Sequence, residues 1–171
     1  MVVVVSRSVK ALRERYGTSG ALLLLDLDNF KNVNDTFGHD AGDEAIRRLS
    51  RVLREGTRGI DLAARIGGEE FAVLLVETRK EGGLEVAERL RAAIKTLEIP
   101  KAGHITASFG VAECPGDAQT ALEVVKAADV ALYEAKRKGR DQVVAMEPLK
   151  SNSMVAGDVQ GDGNLGFASR G

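Results

Sequence analysis

The chain has 171 residues, of which 44% are hydrophobic and 29% charged, with a formal net charge of -1. That balance predicts one soluble globular domain and excludes a bulk nucleic-acid binder, which would carry a basic excess. A small anionic substrate such as a nucleotide needs only local cations. Cys114 is the one cysteine, which excludes an intramolecular disulfide and fits a reducing, cytoplasmic compartment. The longest N-terminal apolar run, Val2 to Val5, is far below the ~20 residues of a bilayer span, and it lacks the form of a signal peptide. No membrane contact is expected from this segment, although its parent protein is free to be membrane-anchored.

In chain order, VKALRERY at 9–16 predicts a short helix ending at Gly17. The unbroken run Ala21 to Leu25, closed by Asp26, suits a strand buried on both faces. Ile46, Leu49 and Leu53 then give one helical face. Asp61 to Val76 reads as two strands around Gly67-Gly68, a hairpin turn signal. Leu84, Ala87, Leu90, Ile94 and Leu97 make a second helical stripe. His104 to Ala112 is a strand candidate, Leu122 to Lys138 a third long helix stopped by Gly139, and Val143 to Ala145 a short last strand. The sequence therefore predicts an α/β (α+β) fold, with a mixed, largely antiparallel sheet and flanking helices over residues 1–147. The glycine-rich, aperiodic tail at 148–171 predicts disorder, and its fragment GDVQGDGN lacks the spacing and terminal Glu of a calcium loop.

Asp26 closes the first strand, and Glu69 and Glu70 follow the Gly-Gly turn in RIGGEEF. With the hairpin beside the first strand, Glu69 comes close to Asp26. Two carboxylates and a backbone carbonyl such as that of Leu27 are hard oxygen donors of the kind Mg²⁺ takes alongside phosphate oxygens. On these features alone, solvated turn glutamates and a helix-capping Asp26 or Asp28 account for the pattern better than catalysis does. The third helix adds a clue. With Leu122 at zero, Val125, Leu132 and Lys136 fall at about 300°, 280° and 320°. Lys136 thus shares the apolar face, and either snorkels past the helix end or meets anions. Asp129, at about 340°, is expected on that face as a structural hydrogen-bond partner. Arg140 and Lys31 supply further cations near the acids.

DLDNFKNVNDTFGHDAGDEAI, RGIDLAARIGGEEFAVLL, TASFGVA and KAADVALYEAKRKGRDQVV, in that order, resemble the signature blocks of the GGDEF family of diguanylate cyclase domains over about residues 20–145. The resemblance implies a palm-like nucleotidyl cyclase sheet. It implies a reaction in which the 3′-hydroxyl of one GTP attacks the α-phosphate of another, giving cyclic di-GMP and pyrophosphate. Mg²⁺ or Mn²⁺ is the implied cofactor, two ions per site. Asp26, the Leu27 carbonyl and Glu69 match the metal ligands. Glu70 matches the second signature acid, a metal ligand or general base. Asn34 and Asp43 match the guanine readers, and Asp43 suits that role because a carboxylate accepts from guanine N1–H and the N2 amino group. Its alternative is an acid favoured by the helix dipole. Lys31, Lys136 and Arg140 match phosphate-binding positions, with backbone N–H groups near Phe30 at a helix start. Arg58 and Asp61 resemble the RxxD inhibitory site for product, with Arg89 as a further arginine. An i,i+4 pair with Glu85 explains Arg89 as well.

One domain of this family holds one GTP, so a second GGDEF domain is an implied partner. Family members open on a motif resembling DxLTGLxNR where this chain reads MVVVVSRSVKAL. An upstream regulatory domain outside this sequence is therefore expected. The alternative is a non-catalytic cyclic di-GMP receptor, against which the intact acids of GGEEF argue. A different purine preference is opposed by Asp43, since adenine offers no N1 proton to a carboxylate.

Overall fold

The computed structural model describes residues 19–117 and 120–145. The helix expected at 9–16 and the tail from Pro148 lie outside them. Within them, β1 (Gly20–Leu27), β2 (Leu62–Arg65), β3 (Glu70–Val76), β6 (Ala107–Cys114) and β7 (Val143–Ala145) form one sheet in the order β2-β3-β1-β6-β7. All neighbours are antiparallel except β6 and β7, so the sheet is mixed, as expected. β4 (Glu98–Ile99) and β5 (Gly103–His104) make a separate small hairpin.

β1 is central because both of its faces are apolar. Leu23, Leu25 and Leu27 pack towards the helices α2 (His39–Glu55) and α3 (Lys80–Lys95). Leu22 and Leu24 pack with Val124, Val125, Ala128 and Leu132 of α4 (Ala121–Arg137) on the opposite face. The period-2 alternation of a strand sends the two sets to opposite sides. An unbroken leucine run thus marks a strand covered twice, here within antiparallel pairing.

The structure corrects four sequence boundaries. The stretch after β1 holds two helices, α1 (Phe30–Phe37) and α2, broken at Gly38, whose φ of 84° belongs to glycine. The helix α3 begins at Lys80 rather than Leu84. Gly82 and Gly83 hide its first turn from apolar periodicity, and a Cβ on Gly83 would lie 2.8 Å from that of Ala21 on β1. His104 belongs to the small hairpin, where it pairs with Glu98, so β6 starts only at Ala107. In α4, Leu122 is 47% exposed, and the buried stripe is Val124, Val125, Ala128, Ala131, Leu132 and Ala135. A capping box between Thr120 and Glu123 fixes the start of that helix. No helix among the described residues is long and apolar enough to cross a membrane.

Gly110 lets α4 lie directly on β6. A Cβ there would sit 2.1 Å from the Ala128 carbonyl oxygen and 2.3 Å from the Leu132 nitrogen. Both are backbone atoms of a helix interior and cannot step aside. Gly110→Ala is therefore expected to lower stability by at least the ~1–3 kcal/mol of ordinary overpacking. Urea unfolding should show a lower midpoint at an unchanged slope.

Candidate active site

Asp26 lies on the parity of Leu22 and Leu24, so it faces α4 at the end of the central strand. It is 7% exposed. Its register partners are Glu70 on β3 and Ser108 on β6. The Leu27 N–H donates to the Glu69 carbonyl at 3.3 Å. The hairpin thus does bring both signature acids to the end of β1. Arg65 steadies the turn by donating from Nε to the Gly67 and Gly68 carbonyls at 3.1 Å and from Nη2 to Gly68 at 2.7 Å. The Glu70 side chain folds back over Gly67, where a Cβ would lie 2.4 Å from Glu70 Oε2.

Lys136 does not snorkel away. Its Nζ lies 2.8 Å from Asp26 Oδ2, with 34% of the side chain exposed. Burial pushes the Asp26 carboxyl above its ordinary range. The Lys136 contact pulls it back, and the charges of Glu69 and Glu70 add to the upward push. One lysine therefore faces three carboxyl groups. Asp129, expected beside them, is exposed and makes no side-chain hydrogen bond among the described residues.

This donor set fits a small divalent cation. No three Asp, Glu, His or Cys side chains among the described residues form a ready-made cage. Mg²⁺ does not require one, because it is held by one or two carboxylates together with water and substrate phosphates. Asp26 and Glu69 would be the carboxylates available to it, with the Leu27 carbonyl next to Asp26 in the chain.

The α1 helix starts beside these acids. Its N-cap Asn29 has φ 56°, no side chain caps it, and its first turn holds no acidic residue. The backbone of Phe30 and Lys31 there suits an anion. Asn34 lies across the start of α2, where a Cβ on Gly42 would sit 2.0 Å from Asn34 Oδ1 and 3.1 Å from Phe30 Cζ. The fold thus brings Asn34 next to Gly42 and its neighbour Asp43, which is exposed. Arg140 lies beyond the end of α4 with φ 65° and is exposed.

The residues expected to bind product cluster elsewhere. Arg58 is 58% exposed along its side chain and donates from Nη2 to Thr78 Oγ1 at 3.0 Å. Arg89 does not serve Glu85; it donates to the Gly56 carbonyl at 2.8 Å, capping α2 two residues before Arg58. Both arginines thus adjoin one turn, beside a cleft of about 560 Å³ lined in part by Arg54, Arg58, Leu62 and Arg65. Asp61 has a different place from the one its sequence suggests. Its side chain is 1% exposed, and its oxygens accept from the backbone N–H groups of Arg58 at 2.9 Å and Val76 at 3.1 Å. These bonds organise the turn.

Sequence reasoning missed Arg65 and Asp28. Arg65 is signalled only by its place before a Gly-Gly turn. Asp28 neither caps α1 nor turns to solvent; its buried carboxylate bonds to β6 and to the loop after α4.

Comparison with known proteins places this geometry. The family model described as "Diguanylate cyclase, GGDEF domain" matches residues 5–142. Diguanylate cyclase A of Treponema denticola is 41% identical over 126 residues, which cover 72% of this chain and 34% of that protein. Diguanylate cyclase DgcP of Pseudomonas aeruginosa is 44% identical over 136 residues, 78% of this chain and 20% of that protein. The chain thus spans about a third or less of these curated relatives. Among solved structures, the active GGEEF domain of a diguanylate cyclase from Vibrio cholerae superposes with a TM-score of 0.76 at 30% identity, covering 82% of this chain and 90% of that one. The GGDEF domain of DgcB from Caulobacter crescentus, in complex with c-di-GMP, gives 0.73 at 34% identity, over 84% and 86%.

The raised Asp26 carboxyl has a consequence for stability. The folded chain holds this proton more tightly than the unfolded chain, so stability falls as pH rises from the ordinary value of 3.8 through the raised one. Asp26→Asn removes that cost. In the absence of metal, Asp26→Asn is expected to melt higher than wild type near neutral pH. The difference should shrink as pH falls toward 3.8, which thermal melts across that range would read.

Proposed function

The chain belongs to the GGDEF-domain family, and from that premise we propose that it is a diguanylate cyclase, condensing two GTP into cyclic di-GMP with release of pyrophosphate. The observation that carries this reading is the meeting of Asp26 with the signature hairpin: Asp26 stands in register with Glu70, bonds Lys136, and adjoins the Glu69 backbone through Leu27.

Asp26, Glu69 and the Leu27 carbonyl would hold Mg²⁺ or Mn²⁺, two ions per site on this reading. A divalent cation held there would polarise the α-phosphate and lower the pKa of the attacking 3′-hydroxyl. The rest is the work of side chains. Lys136 exchanges Asp26 for a phosphate oxygen, which its exposure at a helix end permits. Arg140, Lys31 and the backbone near Phe30 take the remaining phosphate charge. Asn34 and Asp43 read the guanine edge. Glu70 either accepts the hydroxyl proton or completes the metal shell. In each step a bond forms between O3′ and the α-phosphorus, and the bond to pyrophosphate breaks.

Each domain presents one such nucleotide site, so catalysis takes a second GGDEF domain facing the first. An upstream regulatory segment, in a cytoplasmic parent protein, would supply that pairing. Incubation with GTP and Mg²⁺ followed by chromatography is expected to yield cyclic di-GMP. Glu69→Gln should abolish it with the fold intact by circular dichroism. Near-native synthesis by that variant would remove the metal-ligand assignment.

Product inhibition through Arg58, Asp61 and Arg89 is part of the same proposal. The geometry supports Arg58 and Arg89 as the contacting cations and Asp61 as the residue that shapes their turn. Added cyclic di-GMP is expected to inhibit non-competitively with respect to GTP. Calorimetry on Glu69→Gln protein should show Arg58→Ala binding cyclic di-GMP at least about tenfold more weakly. Equal binding would reduce Arg58 to a surface ion pair.

A further inference from the structure

The sequence DLDNF sets two aspartates two residues apart, which invites their assignment as a pair of metal ligands. The structure separates them. Asp28 is 6% exposed, and its carboxylate is already filled with donors. Oδ2 accepts from Thr106 Oγ1 at 2.7 Å and from the Asp141 N–H at 3.0 Å, while Oδ1 accepts from Ser108 Oγ at 2.7 Å. Its own N–H donates to the Thr106 carbonyl at 2.9 Å. A cation approaching these oxygens would meet protons.

The knot ends on the turn that carries Arg140. Arg140 and Asp141 are adjacent non-glycine residues with φ 65° and 45°, a backbone that only outside restraint maintains. Gly139 ends α4, and the Arg140 N–H closes onto the Ala135 carbonyl at 3.1 Å. The Asp141 carboxylate is bonded by Arg91 and, at 2.6 Å, by Lys95 Nζ. The Gln142 carbonyl accepts from Phe109 N–H at 2.9 Å, and its side chain donates to Ala135 at 2.9 Å. The turn is thus held at the Arg140 N–H, at Asp141 and at Gln142, and the Arg140 residue itself is exposed.

We propose that Asp28 is a positioning residue for the phosphate site: its buried carboxylate fixes the Arg140–Asp141 turn relative to the end of β1, and so sets where the Arg140 guanidinium meets the triphosphate. This rests on the reading of Arg140 as a phosphate-binding residue. The two strand-end aspartates then divide the work. Asp26 faces α4 and the metal, and Asp28 holds the cation-bearing turn at a constant distance from it.

The test compares KM and kcat for GTP with Mn²⁺ binding, the latter read by electron paramagnetic resonance without nucleotide. Asp28→Ala is expected to raise KM about tenfold and to leave Mn²⁺ binding within about twofold. Arg140→Ala should raise KM similarly, and the double variant should be no worse than either, because both remove one contact. Asp28→Asn should restore KM to within about twofold, since its amide can accept from Thr106 and Asp141 while donating to Ser108 Oγ. KM reports folded molecules only, so a partly unfolded preparation lowers apparent kcat without moving it. Should Asp28→Ala give no folded protein, Thr106→Val removes one donor at similar volume, and a KM rise of about two- to threefold is expected. Loss of Mn²⁺ binding in Asp28→Asn would make Asp28 a metal ligand and overturn the proposal, as would additive effects in the double variant. Unchanged KM in Arg140→Ala would overturn the phosphate role of Arg140 and the inference with it. A tenfold rise there with unchanged KM in Asp28→Ala and Thr106→Val would overturn the inference alone.

Discussion

A carboxylate buried at the end of the central strand is the constraint on which the rest of this structure turns. Asp26 follows leucines that lie almost wholly inside the core. Removing such a charge from water costs several kcal/mol unless a cation answers it. Lys136 answers part of it. The hairpin then brings Glu69 and Glu70 to the same place, and their charges push the Asp26 carboxyl further up. For stability alone, that arrangement is adverse. Under the proposed function it suits a site that would bind a divalent cation and then a polyanion, with Lys136 leaving Asp26 for the polyanion.

Strand register gives the site its precision. β1 is bonded to β3 on one side and β6 on the other along its length. A slip of one residue would turn every leucine to the wrong face, so the position of Asp26 is fixed by packing at the far end of the strand. The helix that brings Lys136 is fixed in the same way. Its closeness to β6 depends on Gly110, which offers no side chain where Ala128 and Leu132 pass. The chemistry at one end of the sheet thus depends on a missing methyl group in its middle.

Much of this was legible in the sequence. The leucine run, the hairpin around Gly67-Gly68 and the apolar stripes of α2, α3 and α4 are periodic signals, and they gave the sheet and its helices. The phase of Lys136 put it on the apolar face of α4 because helical geometry carries over from sequence without knowledge of the sheet, and only the structure showed it meeting Asp26 rather than snorkelling past the helix end. What stayed hidden has a common cause. The start of α3 was masked by Gly82 and Gly83, and the value of Gly83 lies in contact with Ala21 and Val111 on strands far away in sequence. Asp28, Thr106, Ser108 and Asp141 meet across three segments, and no local spacing announces that. The backbone bonds of Asp61 stayed hidden for a related reason. Its pairing with Arg58 looks like a ligand motif in sequence, yet the backbone N–H of Val76 takes one of its oxygens.

The separation of the two arginine-bearing regions bears on how the proposed product inhibition would act. β3 carries Glu70 at one end and Val76, bonded to Asp61, at the other, a span of about 20 Å at ~3.4 Å per residue. Between them β3 is bonded to β1 throughout and to β2 from Phe71 to Leu74. A strand held on both sides neither slides nor bends readily in response to a ligand at one end. Val73, Leu74 and Leu75 of β3 itself are buried in close packing, and shifting them would cost more than one nucleotide contact returns. The site beside Arg58 and Arg89 is open to solvent, whereas the path through β3 is rigid. On the proposed function, inhibition would then act in the relation between domains: a product molecule on those arginines would keep two nucleotide sites from facing each other without altering either.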